Sequence, residues 1–338
     1  MESKPDSNEL FRLIVDTGES PFKMDYSTPA LWMGSCFTEN IGSHLKKLKF
    51  PAGVNPFGIL YNPESIRQSI EILLEGRLFC GGDLRHGNDL WYSFSHHTSY
   101  SGPDKDECLR NINGSILTAS ARLKDSGFLF LTFGTARVYR FRETGRVVSN
   151  CHKLPHKYFD HELLKPDEIT GPYETLIKRL HDFNPGLKVV FTISPVRHWK
   201  DGPTGNLVSK STLAVAIASL VERFDNVSYF PAYEIVMDEL RDYRFYERDM
   251  VHINNTGVDY IRKRFMECFV DPGTLPLVKE ITAINQGIAH RPFNPSTAEH
   301  RKFLQALLEK IDSFEKAVPS ADLSTERNEI MKRGNILK

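Results

Sequence analysis

Residues 29–48 read PALWMGSCFTENIGSHLKKL, and this stretch sets the architecture expected for the rest of the chain. The apolar run from Ala30 to Met33 has the pattern of a buried strand, and it ends on the small residues Gly34, Ser35 and Cys36. Thr38, Glu39 and Asn40 then favour the start of a helix, so Gly34-Ser35-Cys36 reads as a strand-to-helix turn. A hydroxyl at such a turn is exposed at the edge of a sheet, close to backbone N–H groups able to stabilise an oxyanion. Ser35 has that position, and so does Cys36, whose thiol needs less activation than a hydroxyl.

Working outward, the alternation of strand and helix repeats. VNPFGILYNP (54–63) carries two Asn-Pro steps and must be extended or turned, after which Pro63 opens a helix that Gly76 stops. DLWYSFSHHTSYS (89–101) predicts a partly exposed strand or hairpin, followed by a helix over about 105–126. FLFLTFGT (128–135) and KVVFTISPV (188–196) are continuous apolar runs, the pattern of strands covered on both faces. Between them CHKLPHKYF (151–159) reads as an irregular loop, and a helix is predicted over 165–183. A further helix over 209–224 and a strand VSYFPAY over 227–233 extend the series.

Strands separated by helices imply right-handed crossovers, hence a three-layer α/β/α fold with a mainly parallel sheet. Ligands in such sheets bind beyond the carboxyl ends of the strands, which directs attention to Gly34-Ser35-Cys36, Gly134-Thr135 and Ser194-Pro195-Val196. Beyond residue 275 the character changes. AEHRKFLQALLEKIDSFEKAV (298–318) is an amphipathic helix with Phe303, Leu304, Leu307, Leu308, Ile311 and Phe314 on one stripe. Two parts are therefore expected, an α/β domain over 1–275 and a helical C-terminal extension over 276–338.

Among 338 residues, Lys+Arg and Asp+Glu number 43 each, 40% are hydrophobic, and no long single-sign block stands out. This balance gives no footprint for a nucleic acid or an anionic membrane, and it favours a small-molecule substrate. The start MESKPDSNEL has no apolar core for a secretion signal and no later run is long enough for a bilayer, so a cytoplasmic location is expected. The five cysteines, Cys36, Cys80, Cys108, Cys151 and Cys268, are scattered with no CxxC pair, which predicts reduced thiols. His96 and His97 lack a third ligand at metal spacing, so no metal or other cofactor is called for.

A base for the nucleophile has to come from elsewhere in the chain. Asp249-Met250-Val251-His252 offers a carboxylate three residues before an imidazole, close enough in a turn to fix one ring nitrogen and leave the other as base. Asp83-Leu84-Arg85-His86 repeats the spacing, but its surroundings, GGDLRHGNDLW, read as a polar surface hairpin. His252 stands instead just before a helix that Asn254, Asn255 and Thr256 can cap, with Val258, Ile261, Phe265 and Phe269 at helical spacing.

Gly34-Ser35-Cys36-Phe37, Asn55-Pro56-Phe57-Gly58, Tyr61-Asn62-Pro63, Ser95-His96-His97 and the late Asp249-x-x-His252 together resemble the bacterial GSCFA family over about 29–275, with Thr38 in place of the motif's final alanine. That family is similar to the SGNH, or GDSL-like, esterases, in which the serine comes in the first block and Asp-x-x-His in the last. The resemblance implies a flavodoxin-like strand order and a catalytic triad of Ser35, Asp249 and His252. It also implies acyl-ester chemistry through an acyl-enzyme, on a substrate such as an acetylated carbohydrate or another small acyl ester. The third SGNH block, which carries an oxyanion-binding Asn, is absent, and FGTARVY supplies Gly134 and Thr135 there. Candidate oxyanion donors are then the N–H groups of Ser35 and Gly58, and Thr135 by hydroxyl or N–H. Asn55, His152 and Arg197 are candidates for substrate binding, Arg197 for an anionic group. Two alternatives stay open: a cysteine hydrolase using Cys36, and a non-catalytic binding module on the same fold.

Overall fold

The computed structural model describes residues 13–334. Five parallel strands form the central sheet: β1 (Ala30–Gly34), β2 (Ala52–Val54), β5 (Phe128–Phe133), β9 (Lys188–Ile193) and β10 (Val227–Tyr229). Their order is β10-β9-β5-β1-β2. Counted along the sheet's own strands this is the 2-1-3-4-5 order of flavodoxin-like folds, and the order reverses between β1 and β5.

Alternation along the strands explains why both faces are covered. In β1, Ala30 and Trp32 enter one core while Leu31 and Met33 enter the other; in β5, Phe128 and Phe130 part from Leu129, Leu131 and Phe133 in the same way. The second core is closed by α2 (Pro63–Glu75), α3 (Lys105–Asp125), α4 (Pro166–Phe183) and α5 (Gly202–Arg223). The first is closed by α1 (Cys36–Lys47), by α6 (Ala232–Glu234) running into a π-helical turn Ile235–Glu239, and by α7 (Asn255–Phe269). Trp32 stacks on Phe130 with centroids 3.9 Å apart, and Phe265 packs on both rings.

The C-terminal helices α8 (Leu275–Ala289), α9 (Ala298–Ala317) and α10 (Ser324–Gly334) complete the layer over this first core. Ile281, Ile284, Leu304, Leu307, Ile311 and Phe314 belong to the same cluster as Trp32, and Phe314 meets Tyr26 edge-on at 5.5 Å. Among the described helices only the segment Trp199–Arg223 is long and apolar enough to cross a membrane. It packs Leu213, Ala216, Ile217 and Leu220 into the second core.

The hairpin expected near residue 90 forms from β3 (Arg85–Gly87) and β4 (Leu90–Tyr92). Beyond expectation, β6 (Arg137–Phe141), β7 (Arg146–Val148) and β8 (Phe159–Leu163) make a small antiparallel sheet around Phe141, Val148 and Phe159. The segment 151–159 is irregular only up to Pro155, because a single 3₁₀ turn, His156–Tyr158, leads straight into β8. The strand predicted over 227–233 stops at Tyr229, since Pro231 has no N–H for the ladder and α6 begins at Ala232. Helix α5 starts earlier than predicted, with Pro203 in its first turn.

A buried ion pair ties the chain's N-terminal segment to this scaffold. Glu239, whose side chain is fully buried, pairs with Arg264 of α7. Glu239 Oε1 also accepts the Val15 N–H at 2.7 Å, and Arg264 Nη2 donates to the Val15 carbonyl at 2.7 Å. Removing one member leaves the other charged and uncompensated, so Arg264→Met is expected to destabilise the protein by about 3 kcal/mol in urea unfolding. Adding Glu239→Leu should recover part of the loss, and a double variant no better than the single would refute this account.

Candidate functional site

Ser35 stands at the reversal of strand order, where the ends of β1 and β5 diverge. It caps α1, its Oγ accepting the Phe37 N–H at 3.2 Å, and it is 1% exposed. The turn before it needs glycine: Gly34 has φ +145°, and a Cβ there would lie 2.3 Å from the Thr132 carbonyl oxygen. Asn55, just past β2, fixes this end of β1. Its Oδ1 accepts the Gly34 N–H at 2.9 Å and its Nδ2 donates to Glu39 Oε2 at 2.8 Å, while its own backbone sits at φ 44°. The carboxamide that the sequence offered for substrate binding is thus buried and engaged at both ends.

Of the expected oxyanion donors, Gly58 and Thr135 are engaged too. The Gly58 N–H bonds the Asn55 carbonyl at 2.8 Å, and the Thr135 N–H bonds the Tyr61 carbonyl at 3.0 Å. The Thr135 hydroxyl pairs with Ser209 Oγ at 3.0 Å. His152 is buried against Tyr92 with centroids 4.4 Å apart, its Nε2 2.8 Å from the Ser93 carbonyl oxygen. Burial pushes its pKa down, so it packs as a neutral ring.

Asp249 and His252 are brought together as their spacing suggested. His252 Nδ1 lies 2.6 Å from Asp249 Oδ2, and Asp249 Oδ1 accepts the backbone N–H groups of Val251 at 3.0 Å and His252 at 2.9 Å. Hydrogen bonds from the His252 amide and then its ring hold the Asp249 carboxyl down at about pKa 2. The turn is closed by Met250 at φ 59° and by the Glu247 N–H bonding the His252 carbonyl at 2.8 Å. Asn254 then caps α7 through the Gly257 N–H at 3.1 Å.

Helices α1 and α7 start at the same end of the sheet. Arg262 at the midpoint of α7 donates to the Asn40 carbonyl in α1 at 3.1 Å, and α7 ends where Val270 bridges Met24, ahead of β1. The loop bearing His252 therefore overhangs the end at which Ser35 lies. Both Asp249 and His252 are about half exposed, and among the described residues no hydrogen bond joins Ser35 to His252.

Sequence reasoning missed Lys210, at the centre of this end of the sheet. Its Nζ donates to the carbonyls of Gly134 at 2.7 Å and Ser194 at 2.6 Å, bridging the ends of β5 and β9, and the residue is 2% exposed. Burial brings its pKa down to about 7, partly opposed by Cys36 nearby. Its one sequence signal is a single lysine inside the apolar run LVSKSTLAVAIASL. His198 is adjacent, edge-on to Tyr61 with centroids 5.4 Å apart, and burial followed by the Lys210 charge lowers its pKa to about 4. Cys36 is held in its thiol form by burial, which raises its pKa.

A cleft of about 560 Å³ opens beside Asp249, between the segment around Arg197 and Trp199 and the chain from Val236 to Val251. Arg197 is on its wall. Among the described residues, no cluster of three or more His, Cys, Asp or Glu side chains is arranged to hold a metal ion.

Residues 29–265 match the family model described as GSCFA family, and residues 281–335 match that described as GSCFA domain protein, C-terminal domain. No curated protein matches the chain.

Proposed function

Because the chain belongs to the GSCFA family, which covers residues 29–265, we propose that it is a serine hydrolase of SGNH-like chemistry acting on small acyl esters. The observation that carries this reading is the 2.6 Å Asp249–His252 pair, held at the end of the sheet where Ser35 caps α1. Asp249 fixes the tautomer with the proton on Nδ1 and leaves Nε2 as the base.

In this mechanism the loop carrying Asp249 and His252 closes over the crevice as substrate enters, bringing Nε2 within about 3 Å of Ser35 Oγ. Oγ attacks the ester carbonyl while His252 takes its proton. The leaving alkoxide then receives that proton and an acyl-enzyme remains. Water, deprotonated by His252, releases the acid and restores Ser35. Gly58 and Thr135 have other partners, so the oxyanion is met at the N-terminus of α1, where N–H groups and the helix dipole favour negative charge.

Cys36 is the alternative nucleophile, but a thiol whose pKa is raised by burial yields little thiolate at neutral pH. A fluorophosphonate probe separates these readings and the non-catalytic one. Labelling is expected in the wild type and in Cys36→Ser, and none in Ser35→Ala. An unlabelled wild type, or labelling that survives Ser35→Ala, removes the serine hydrolase reading.

A further inference from the structure

The cleft beside Asp249 has a distinctive charge distribution. Its floor is apolar, from Val236, Met237 and Leu240, and its rim carries Trp199, Tyr243 and Tyr246. Trp199 and Tyr243 are more than half exposed, so flat ring faces border the opening. The charged groups along it are nearly all satisfied locally. Arg241 pairs with Asp238 at 3.0 Å, Asp242 with Arg244 at 3.5 Å, and Asp249 with His252 at 2.6 Å. Arg197 differs: among the described residues no carboxylate pairs with it, and the one hydrogen bond of its guanidinium is to the Met237 sulfur, at 3.3 Å.

A guanidinium with no carboxylate partner beside apolar and aromatic walls offers its remaining donors to a planar or tetrahedral anion, in surroundings that screen the attraction less than open water does. Buried Lys210, its pKa brought down to about 7 by burial first and by Arg197 in smaller part, adds a partial positive charge on the same side at neutral pH. Together they make this end of the sheet attractive to an anion, although the chain's net charge is zero.

We propose that this cleft binds the part of the substrate remote from the scissile bond, and that this part is a ring-bearing group with a carboxylate or phosphate held by Arg197. The ring packs against Trp199 and Tyr243, and the apolar floor takes its edge. The inference rests on the ester hydrolase reading for the role of the bound group, and its test is binding alone, which needs no turnover.

Calorimetric titration with 4-hydroxybenzoate, phenyl phosphate and the neutral isostere 4-hydroxybenzamide tests it on the full chain. Wild type is expected to bind at least one of the anions about tenfold more tightly than the amide. The arm that binds more tightly identifies carboxylate or phosphate as the anion. Arg197→Leu should abolish that preference and Arg197→Lys should retain most of it, with unchanged melting temperatures showing that both variants fold. Equal affinity for the anions and the amide in wild type overturns the proposal, and so does a preference that persists in Arg197→Leu. A hydrolase failure would appear instead as absent fluorophosphonate labelling, which leaves these titrations unaffected.

Discussion

Ser35→Ala is expected to lower kcat/KM on an acyl ester by roughly 10⁴-fold or more, and His252→Ala by a similar factor. Both follow from the same geometry. Ser35 Oγ is fixed by the Phe37 N–H bond at the start of α1, and the His252 ring is fixed by Asp249. Neither group reacts without the other, because an unassisted hydroxyl is a poor nucleophile at neutral pH. The double variant should therefore be about as active as either single one. Losses that multiply would mean that the two residues act independently, and the triad would have to be abandoned. Asp249→Asn should also cost several orders of magnitude, since an amide in place of the carboxylate favours the wrong tautomer of His252. The readout is steady-state kinetics over a panel of short acyl esters and acetylated sugars.

The fold was legible wherever a strand was long and apolar, as in β1, β5 and β9. There, burial on both faces leaves a continuous hydrophobic run that few other structures require. Reading failed on short or half-exposed pieces. β2 has only three residues, Ala52–Val54, too few for a period, and its place beside β1 comes from pairing with Ala30, Leu31 and Trp32. β6 and β8 carry alternating Arg, Asp and Glu on one face, and they are strands because the other face closes over Phe141 and Phe159.

For the site, local spacing was enough for Asp249 and His252, three residues apart in one turn. Asn55 and Gly58 were noticed for their motif, but their hydrogen bonds depend on where β1 and α1 lie, and no local pattern records that. Lys210 shows the limit most plainly. In sequence it is one cation in a helix, and only the convergence of β5, β9 and α5 buries it against two carbonyls.

That burial makes Lys210 a source of stability change above neutral pH. The amine has pKa about 7 in the folded protein against 10.5 for the exposed group, and burial is the main cause. Between these values the unfolded chain holds a proton that the folded protein has released, so stability rises with pH across the window. The penalty of burying the ammonium is present in full below pH 7 and is relieved above 10.5. At about 1.4 kcal/mol per pH unit the whole window is worth on the order of 5 kcal/mol.

Lys210→Met removes the titrating group while keeping most of its volume. It also leaves the Gly134 and Ser194 carbonyls without their donor, a cost that does not vary with pH. Measured by urea unfolding, wild type should gain about 2 kcal/mol relative to Lys210→Met between pH 7 and pH 9. Parallel stability curves for the two proteins would mean that Lys210 stays charged in the fold, its two carbonyl bonds outweighing desolvation. Well below pH 7 the curves should run parallel, because there the ammonium is charged in both states, and the remaining offset is the difference between the burial penalty of the ammonium and the loss of its two carbonyl bonds.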